Sequence, residues 1–255
     1  MTLDQGSYRK RIYEKYASKF HDAGQNFDPV AAVRLGKGYD YYFRNWLSAS
    51  RDASILDLAC GGGNLLYYFK ERGYACLTGV DISSEQVQLA RQVTPNVFEG
   101  NVLDFLRIHP NAFDCLLGVD IIEHLYKTEV LNFLDLCFSA LRPGGRLILQ
   151  TPNADSPWGT MLRYGDFTHE VIFNSKSLLY LLALSGFKES EARELGPVPW
   201  GYSMASTGRY VAWQFIRVML KLWNLAETGK SGSGIFSRVF LVSGCKRRDA
   251  NVMSP

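Results

Sequence analysis

Histidine is scarce in this chain, with four among 255 residues, and no two of its five cysteines form a CxxC pair. Cys60, Cys76, Cys115, Cys137 and Cys245 are an odd set lying mostly in apolar runs. They read as reduced, buried thiols and argue against a disulfide framework or a zinc site. No apolar stretch follows the basic residues of MTLDQGSYRKRIYEKY, so this segment does not read as a secretory leader, and a cytoplasmic location is expected. Low-complexity tracts and repeats of fixed period are missing too. Charge of either sign has little excess, at a net +3, but it is unevenly spread. From Leu195 onward eight cations face two acids, which leaves the rest of the chain net negative. On the core the cations form no stripe interleaved with aromatics, so nucleic acid is not an expected partner.

What is present is a composition 47% hydrophobic, enough at this length to bury a full core. Short β-rich runs alternate with helical ones. Strands are expected at 54–59, 74–81, 97–100, 113–119 and 146–151, and helices at 64–73, 83–93 and 127–141. A further helix at 174–187 leads into the strand FKESEAREL, and 235–245 closes as a strand. Apolar strands alternating with helices predict an α/β fold, a parallel sheet covered on both faces. No Pro- or Ser-rich linker divides the chain, so one domain over 1–248 is expected. It comprises an N-terminal helical cap (1–50), a core (53–195), a helical insertion (196–234) and a closing strand (235–246).

The stretch ILDLACGGGNLL, residues 55–66, breaks a hydrophobic run with three glycines. A phosphate-cradling loop needs a lysine and a Ser or Thr after the last glycine, and Asn64-Leu65-Leu66 stands there instead. The dinucleotide fingerprint needs a third glycine where Leu66 lies, which disfavours that ligand. A ligand without phosphate remains. Asp81, at the end of the next strand and 24 residues after Asp57, is placed to accept both hydroxyls of a ribose, with Ile82 packing on the base.

Five ordered motifs then carry a resemblance to the class I S-adenosylmethionine-dependent methyltransferases. LDLACGGG is similar to the first, with Ala59 where glycine is more usual. GVDIS matches the second and EGNVLDF the third, with Asn101 where an acid commonly meets the adenine amino group. FDCLLGVDIIEHL and LRPGGRLILQTPN match the fourth and fifth. The resemblance implies a Rossmann-like seven-stranded sheet whose last strand runs antiparallel. It also implies S-adenosyl-L-methionine as cofactor, with S-adenosyl-L-homocysteine as product. The cofactor residues are then Asp57, Ala59, Gly61, Gly63, Asp81, Ile82, Asn101, Val102 and Val119.

Two clusters are candidates for the acceptor side. Asp120-Ile-Ile-Glu123-His124 is similar to the ExxEH motif of ubiquinone-pathway O-methyltransferases, in which the acids and the histidine bind a divalent cation. An oxygen-rich site of that kind would suit magnesium, but a capping or cofactor-lining role is preferred and no metal is assigned. The block GDFTHEVIFNSKSLLYLLALSGF resembles methyltransferases of sugar and polysaccharide biosynthesis. There His169 is a candidate general base, with Asp166 or Glu170 setting its tautomer. The plainer reading is that Asp166, Thr168 and His169 only tie a loop together. The catalytic candidates are therefore His169, His124 and Asp166; His21 and His109 have no such neighbours.

The insertion contains RYVAWQFIRVMLKLWNLAETGK, where Gln214, Arg217, Lys221 and Asn224 make one narrow polar stripe among apolar residues. Its charges argue against a spanning helix. The stripe suits packing against the sheet or a second subunit, and the 207–226 helix also suits the surface of a membrane. Monomer and homodimer both remain open. Aromatics of the cap (Tyr8, Tyr13, Tyr16, Phe20, Phe27, Tyr39, Tyr41, Tyr42, Phe43) are expected to lid the cofactor. The expected activity is O-methylation of a small molecule or glycan precursor. Carbon or nitrogen methylation, a catalytically silent binding protein and a nicotinamide-dependent reductase are the alternatives.

Overall fold

The structure is a computed structural model that describes residues 12, 26–199 and 203–248. Tyr8, Tyr13, Tyr16, Phe20 and His21 lie outside the described residues. Two short helices, α1 (Pro29–Gly36) and α2 (Tyr39–Tyr42), precede the sheet. Strand β1 (Ile55–Asp57) leads into α3 (Asn64–Glu71), β2 (Leu77–Asp81) into α4 (Ser84–Ala90), and β3 (Val97–Glu99) into α5 (Val102–Arg107). After β4 (Phe113–Val119) come a single turn at Ile122–His124 and α6 (Val130–Ala140). Next are β5 (Leu141–Pro152), α7 (Gly159–Gly165), α8 (Ser175–Leu184), β6 (Lys188–Glu194), α9 (Met204–Thr228) and β7 (Val239–Cys245).

The strands form one sheet in the order β3-β2-β1-β4-β5-β7-β6. The first five are mutually parallel, and β7 runs antiparallel to both β5 and β6. The parallel strands are buried apolar runs because helices cover both faces. On one face, Leu56, Val80, Leu116, Leu147 and Leu149 pack with α6 and α8; on the other, Ile55, Leu77, Leu117 and Ile148 pack with α3, α4 and the described cap.

This is the expected architecture, with adjusted ends. The 127–141 helix gives way at Leu141, where β5 already begins, and the closing strand starts at Val239 rather than 235. Gly73 ends the first core helix as anticipated, with a left-handed φ of 81°. Helices α5 and α7 are additional. Ser83 stands at the N-cap of α4, but its hydroxyl makes no cap hydrogen bond.

The insertion departs most from expectation. No residue of α9 is buried, so it does not pack an apolar face on the sheet. No helix among the described residues is long and apolar enough to cross a membrane.

Candidate active site

Parallel α/β sheets bind ligands beyond the carboxyl ends of their strands, where the order reverses. Here the reversal falls between β1 and β4. Asp57 ends β1, Asp81 ends β2, and Asp120 follows β4 directly, so the fold itself brings three carboxylates to one edge.

The glycine turn after β1 is built on Asp81. Its Oδ2 accepts the Gly61 N–H at 2.9 Å, and its Oδ1 accepts the Ser83 N–H at 2.9 Å. Gly61 has φ 50°, and a Cβ there would meet only open space up to Gln86 Oε1 at 4.0 Å. That bare backbone borders the ligand space. Gly63 does a different job. Its φ is 90°, its N–H is spent on the Cys60 carbonyl at 2.9 Å, and an added Cβ would lie 3.0 Å from Ala90 Cα. It lets α3 start against α4. Gly63→Ala is expected to destabilise the fold by ~2 kcal/mol or more, since strain and backbone overlap add. A melting temperature lower by several degrees would show it. Helix α3 starts after Gly63 with no side chain capping its first amides.

The carboxyls share an electrostatic state. Burial and the neighbouring Asp81 push Asp57 up to about 8, with the Ala59 N–H opposing weakly. Burial raises Asp81, against the amides of Ser83, Gly61 and Ile82. Asp120 is exposed to solvent, yet protein packs closely around its carboxyl. Desolvation raises it, while the Gln150 amide (Nε2 to Oδ1, 3.1 Å) and His169 lower it. Glu123 is wholly buried and raised well above its ordinary value by burial and by Asp120; its Oε2 accepts the Thr151 hydroxyl at 3.0 Å. Among the described residues no lysine or arginine forms an ion pair with any of the four. An acid cluster of this kind repels a polyphosphate and favours a cationic ligand.

S-adenosylmethionine, with a sulfonium and an ammonium, fits that requirement. Asp81 has lone pairs left for a ribose, Ile82 presents an apolar side chain 51% exposed beside it, and buried Asp57 Oδ1 and Ser83 Oγ have no partner. Asn101 caps α5, its Oδ1 accepting the Leu103 N–H at 2.8 Å, which leaves one lone pair of that oxygen for an adenine amino group. Ala59, Val102 and Val119 are half-buried at or beside the ends of β1, β3 and β4. Among the described cap aromatics, Tyr39 reaches this edge. Its hydroxyl is raised by burial and then by Asp120 and Asp57. Tyr42 instead bonds the Gly196 carbonyl, and Phe27 lies on Tyr67. A recess of about 640 Å³ bordered by Gly36, Asp40, Tyr67 and Arg72 holds none of the motif residues.

The two acceptor-side clusters form one unit. Thr168 Oγ1 lies 2.6 Å from Asp166 Oδ1 and 2.8 Å from His124 Nδ1. The hydroxyl has one proton to give to Asp166, so His124 donates to it from Nδ1–H. The rings of His124 and His169 meet edge to face, with centroids 4.8 Å apart. His169 Nδ1 lies 2.8 Å from the Leu162 carbonyl, which can only accept. That carbonyl, and not Asp166 or Glu170, sets the tautomer, leaving the Nε2 lone pair as a base. Asp166 serves Thr168, through both its hydroxyl and its N–H. Thr168 ties the loop, as the plainer reading of the sequence expects, and also reaches His124; nothing in the sequence marks Thr151, Gln150 or Gln86.

The oxygen-rich set that would suit magnesium does not form among the described residues. Ligand atoms of Glu123, His124 and His169 come within 4.8 Å of one another, while Asp120 turns to Gln150. One buried carboxyl with two imidazoles is a nitrogen-rich donor set that does not suit magnesium.

A family model described as a methyltransferase domain matches residues 8–191. The ubiquinone biosynthesis O-methyltransferase of Idiomarina loihiensis is 28% identical over 152 residues, 55% of this chain and 58% of that protein. Its counterpart from Xanthomonas campestris is 33% identical over 107 residues, 40% and 44% of the two chains. The match thus spans less than two thirds of the length of these relatives. Among solved structures, a SAM-dependent methyltransferase from Archaeoglobus fulgidus superposes with a TM-score of 0.62 at 20% identity, covering 91% of this chain and 98% of that one. Phosphoethanolamine N-methyltransferase 2 of Haemonchus contortus, in complex with S-adenosyl-L-methionine, gives 0.55 at 15% identity over 92% and 60%. With a family model matching residues 8–191, through the glycine turn, and a likeness of fold over most of the chain, the chain belongs to the methyltransferase domain family, in its class I S-adenosylmethionine-dependent form.

Proposed function

We propose that this protein methylates a hydroxyl oxygen of a small molecule or glycan precursor. When bound, S-adenosylmethionine supplies a methyl group already activated on a positively charged sulfur. The chain's own work is to orient and to remove a proton. Asp81 and the Gly61 turn hold the adenosyl part. Asp57 and Asp120 line the edge with negative charge.

The observation that carries the oxygen reading is His169. Its ring is anchored through Nδ1 by the Leu162 carbonyl, with Nε2 left basic and Asp120 close enough for the two to interact electrostatically. A hydroxyl is a poor nucleophile until its proton is drawn off, and such a base supplies that step. Asp120 then steadies the imidazolium. His124, Thr168 and Asp166 hold the loop that presents His169. O-methyltransferases among the similar proteins support this reading.

The test uses S-adenosylmethionine labelled in the methyl group with the small-molecule extract of the source cell. Label is expected in a methyl ether. His169→Ala is expected to lower incorporation by about a hundredfold, with S-adenosylhomocysteine affinity unchanged. His169→Gln, which keeps the Leu162 bond, is expected to be as slow. A methylamine product, or full incorporation by both variants, overturns the proposal.

A further inference from the structure

Helix α9 is built inside out. Its half-buried residues recur at helical spacing and are largely polar. Ser206 and Thr207 donate to the Val198 and Pro199 carbonyls at 3.1 and 3.2 Å. Arg217 pairs with Glu194 at 2.9 Å and donates to the Gly234 carbonyl at 3.2 Å. Asn224 packs on Gly232, and Lys221 lies over Gly234. The polar stripe therefore holds the helix to the body.

The opposite face is apolar and uncovered. Every exposed position from Val211 to Ala226 carries an apolar side chain. Phe215 and Trp223 are each 69% exposed, and Met219 is 65% exposed. The one polar atom of Trp223, its Nε1–H, is already bonded to Glu227 at 3.1 Å. This face runs for roughly 24 Å at the helical rise.

It lies at the functional end of the sheet. Glu194 ends β6 beside Phe240, and Pro152 ends β5 opposite Val239. The segment that seats α9 thus adjoins the carboxyl ends of the strands. There Asn153 binds the carbonyls of Ile235 and Ser237, and Arg238 covers the Trp158 ring. Beyond β5, Tyr164 and Phe167 are 79% and 81% exposed on the segment that leads to His169.

We propose that the apolar face of α9 docks this protein on the surface of an anionic lipid bilayer, with the end of the sheet that bears His169 turned toward it. Two observations select lipid over a second copy of the chain. A protein interface carries about one hydrogen bond per 100–200 Å², and the exposed side chains from Val211 to Ala226 offer no unspent hydrogen-bonding group. The exposed charges beside this face, Arg209, Lys230 and Arg238 against Glu227, are net cationic and suit anionic headgroups. The proposal does not depend on which atom accepts the methyl group.

The test is co-sedimentation of the full chain with vesicles of phosphatidylcholine and phosphatidylglycerol, against phosphatidylcholine alone. The mixed vesicles are expected to capture the protein more strongly. Met219→Glu combined with Phe215→Glu is expected to weaken capture by roughly tenfold or more, with circular dichroism and melting temperature unchanged, because these side chains point away from the body. Substituting Val30, exposed on α1, by Glu serves as the control and is expected to change nothing. Failure of the wild-type chain to sediment, or equal capture of the double variant, overturns the proposal. So does a wild-type dimer in sedimentation velocity that the same pair of substitutions splits without any vesicle binding, which assigns the face to a second copy.

Discussion

Titrating S-adenosylhomocysteine into the Asp81→Ala variant is expected to show affinity lower by about two to three orders of magnitude, the loss of two charge-assisted hydrogen bonds at about 1.5–3 kcal/mol each, partly offset by water. Asp81 also organises the turn, since its oxygens accept the amides of Gly61 and Ser83. Removing it therefore loosens the backbone that would border the cofactor. Asp81→Asn keeps one acceptor oxygen and is expected to fall between the two. A folded Asp81→Ala protein that binds with wild-type affinity would take Asp81 out of the cofactor site and the glycine turn with it.

Asp57→Asn is expected to move stability and binding in opposite directions. The folded state raises the Asp57 carboxyl to about 8, above its ordinary value in an unfolded chain. A raised acid favours folding fully only below its unfolded pKa. That contribution declines as pH climbs toward 8 and stays constant above it. At pH 8 the buried carboxylate therefore costs on the order of a few kcal/mol, which the neutral amide avoids. The variant is expected to melt several degrees higher at pH 8 and near wild type at pH 4. Its cofactor affinity is expected to drop by about tenfold or more, because a cationic ligand loses a facing charge. Wild-type protein should also release a proton on binding near pH 7. Calorimetry in buffers of different ionisation enthalpy detects that release, and the variant should lack Asp57's share. If Asp57→Asn instead melts lower at pH 8 and binds as well as wild type, Asp57 is a structural residue and not a charge held for the ligand.

Much of the fold was legible because its signals are local. The apolar runs of β1, β2 and β4 are bounded by turn residues, and the five motifs follow one another in chain order. The catalytic loop was only half legible. His124 and Thr168 meet across 44 positions, a pairing set by the return of the chain after β5 and by no nearby pattern. The partner of His169 Nδ1 is a main-chain carbonyl, a group every residue carries, so no side-chain type could announce it. Helices α5 and α7 are too short for a helical period to stand out, although Asn101 at the α5 N-cap is a signal that could have found the first of them. In α9 the periodicity located the polar stripe correctly but carries no information on which side meets the solvent. Glu194 and the carbonyls of residues 198–199 and 234 decide that, and they come from elsewhere in the fold.

That no lysine or arginine among the described residues pairs with the four strand-end acids has a bearing on turnover. After each transfer the sulfur becomes a neutral thioether, and the wall of carboxyls faces one positive charge fewer. Asp57 can then recover a proton at little cost, since its raised affinity for one is a property of the empty pocket. The same residues that draw in the fresh donor are therefore expected to hold the spent one less tightly, with a proton taken up at Asp57 as it leaves.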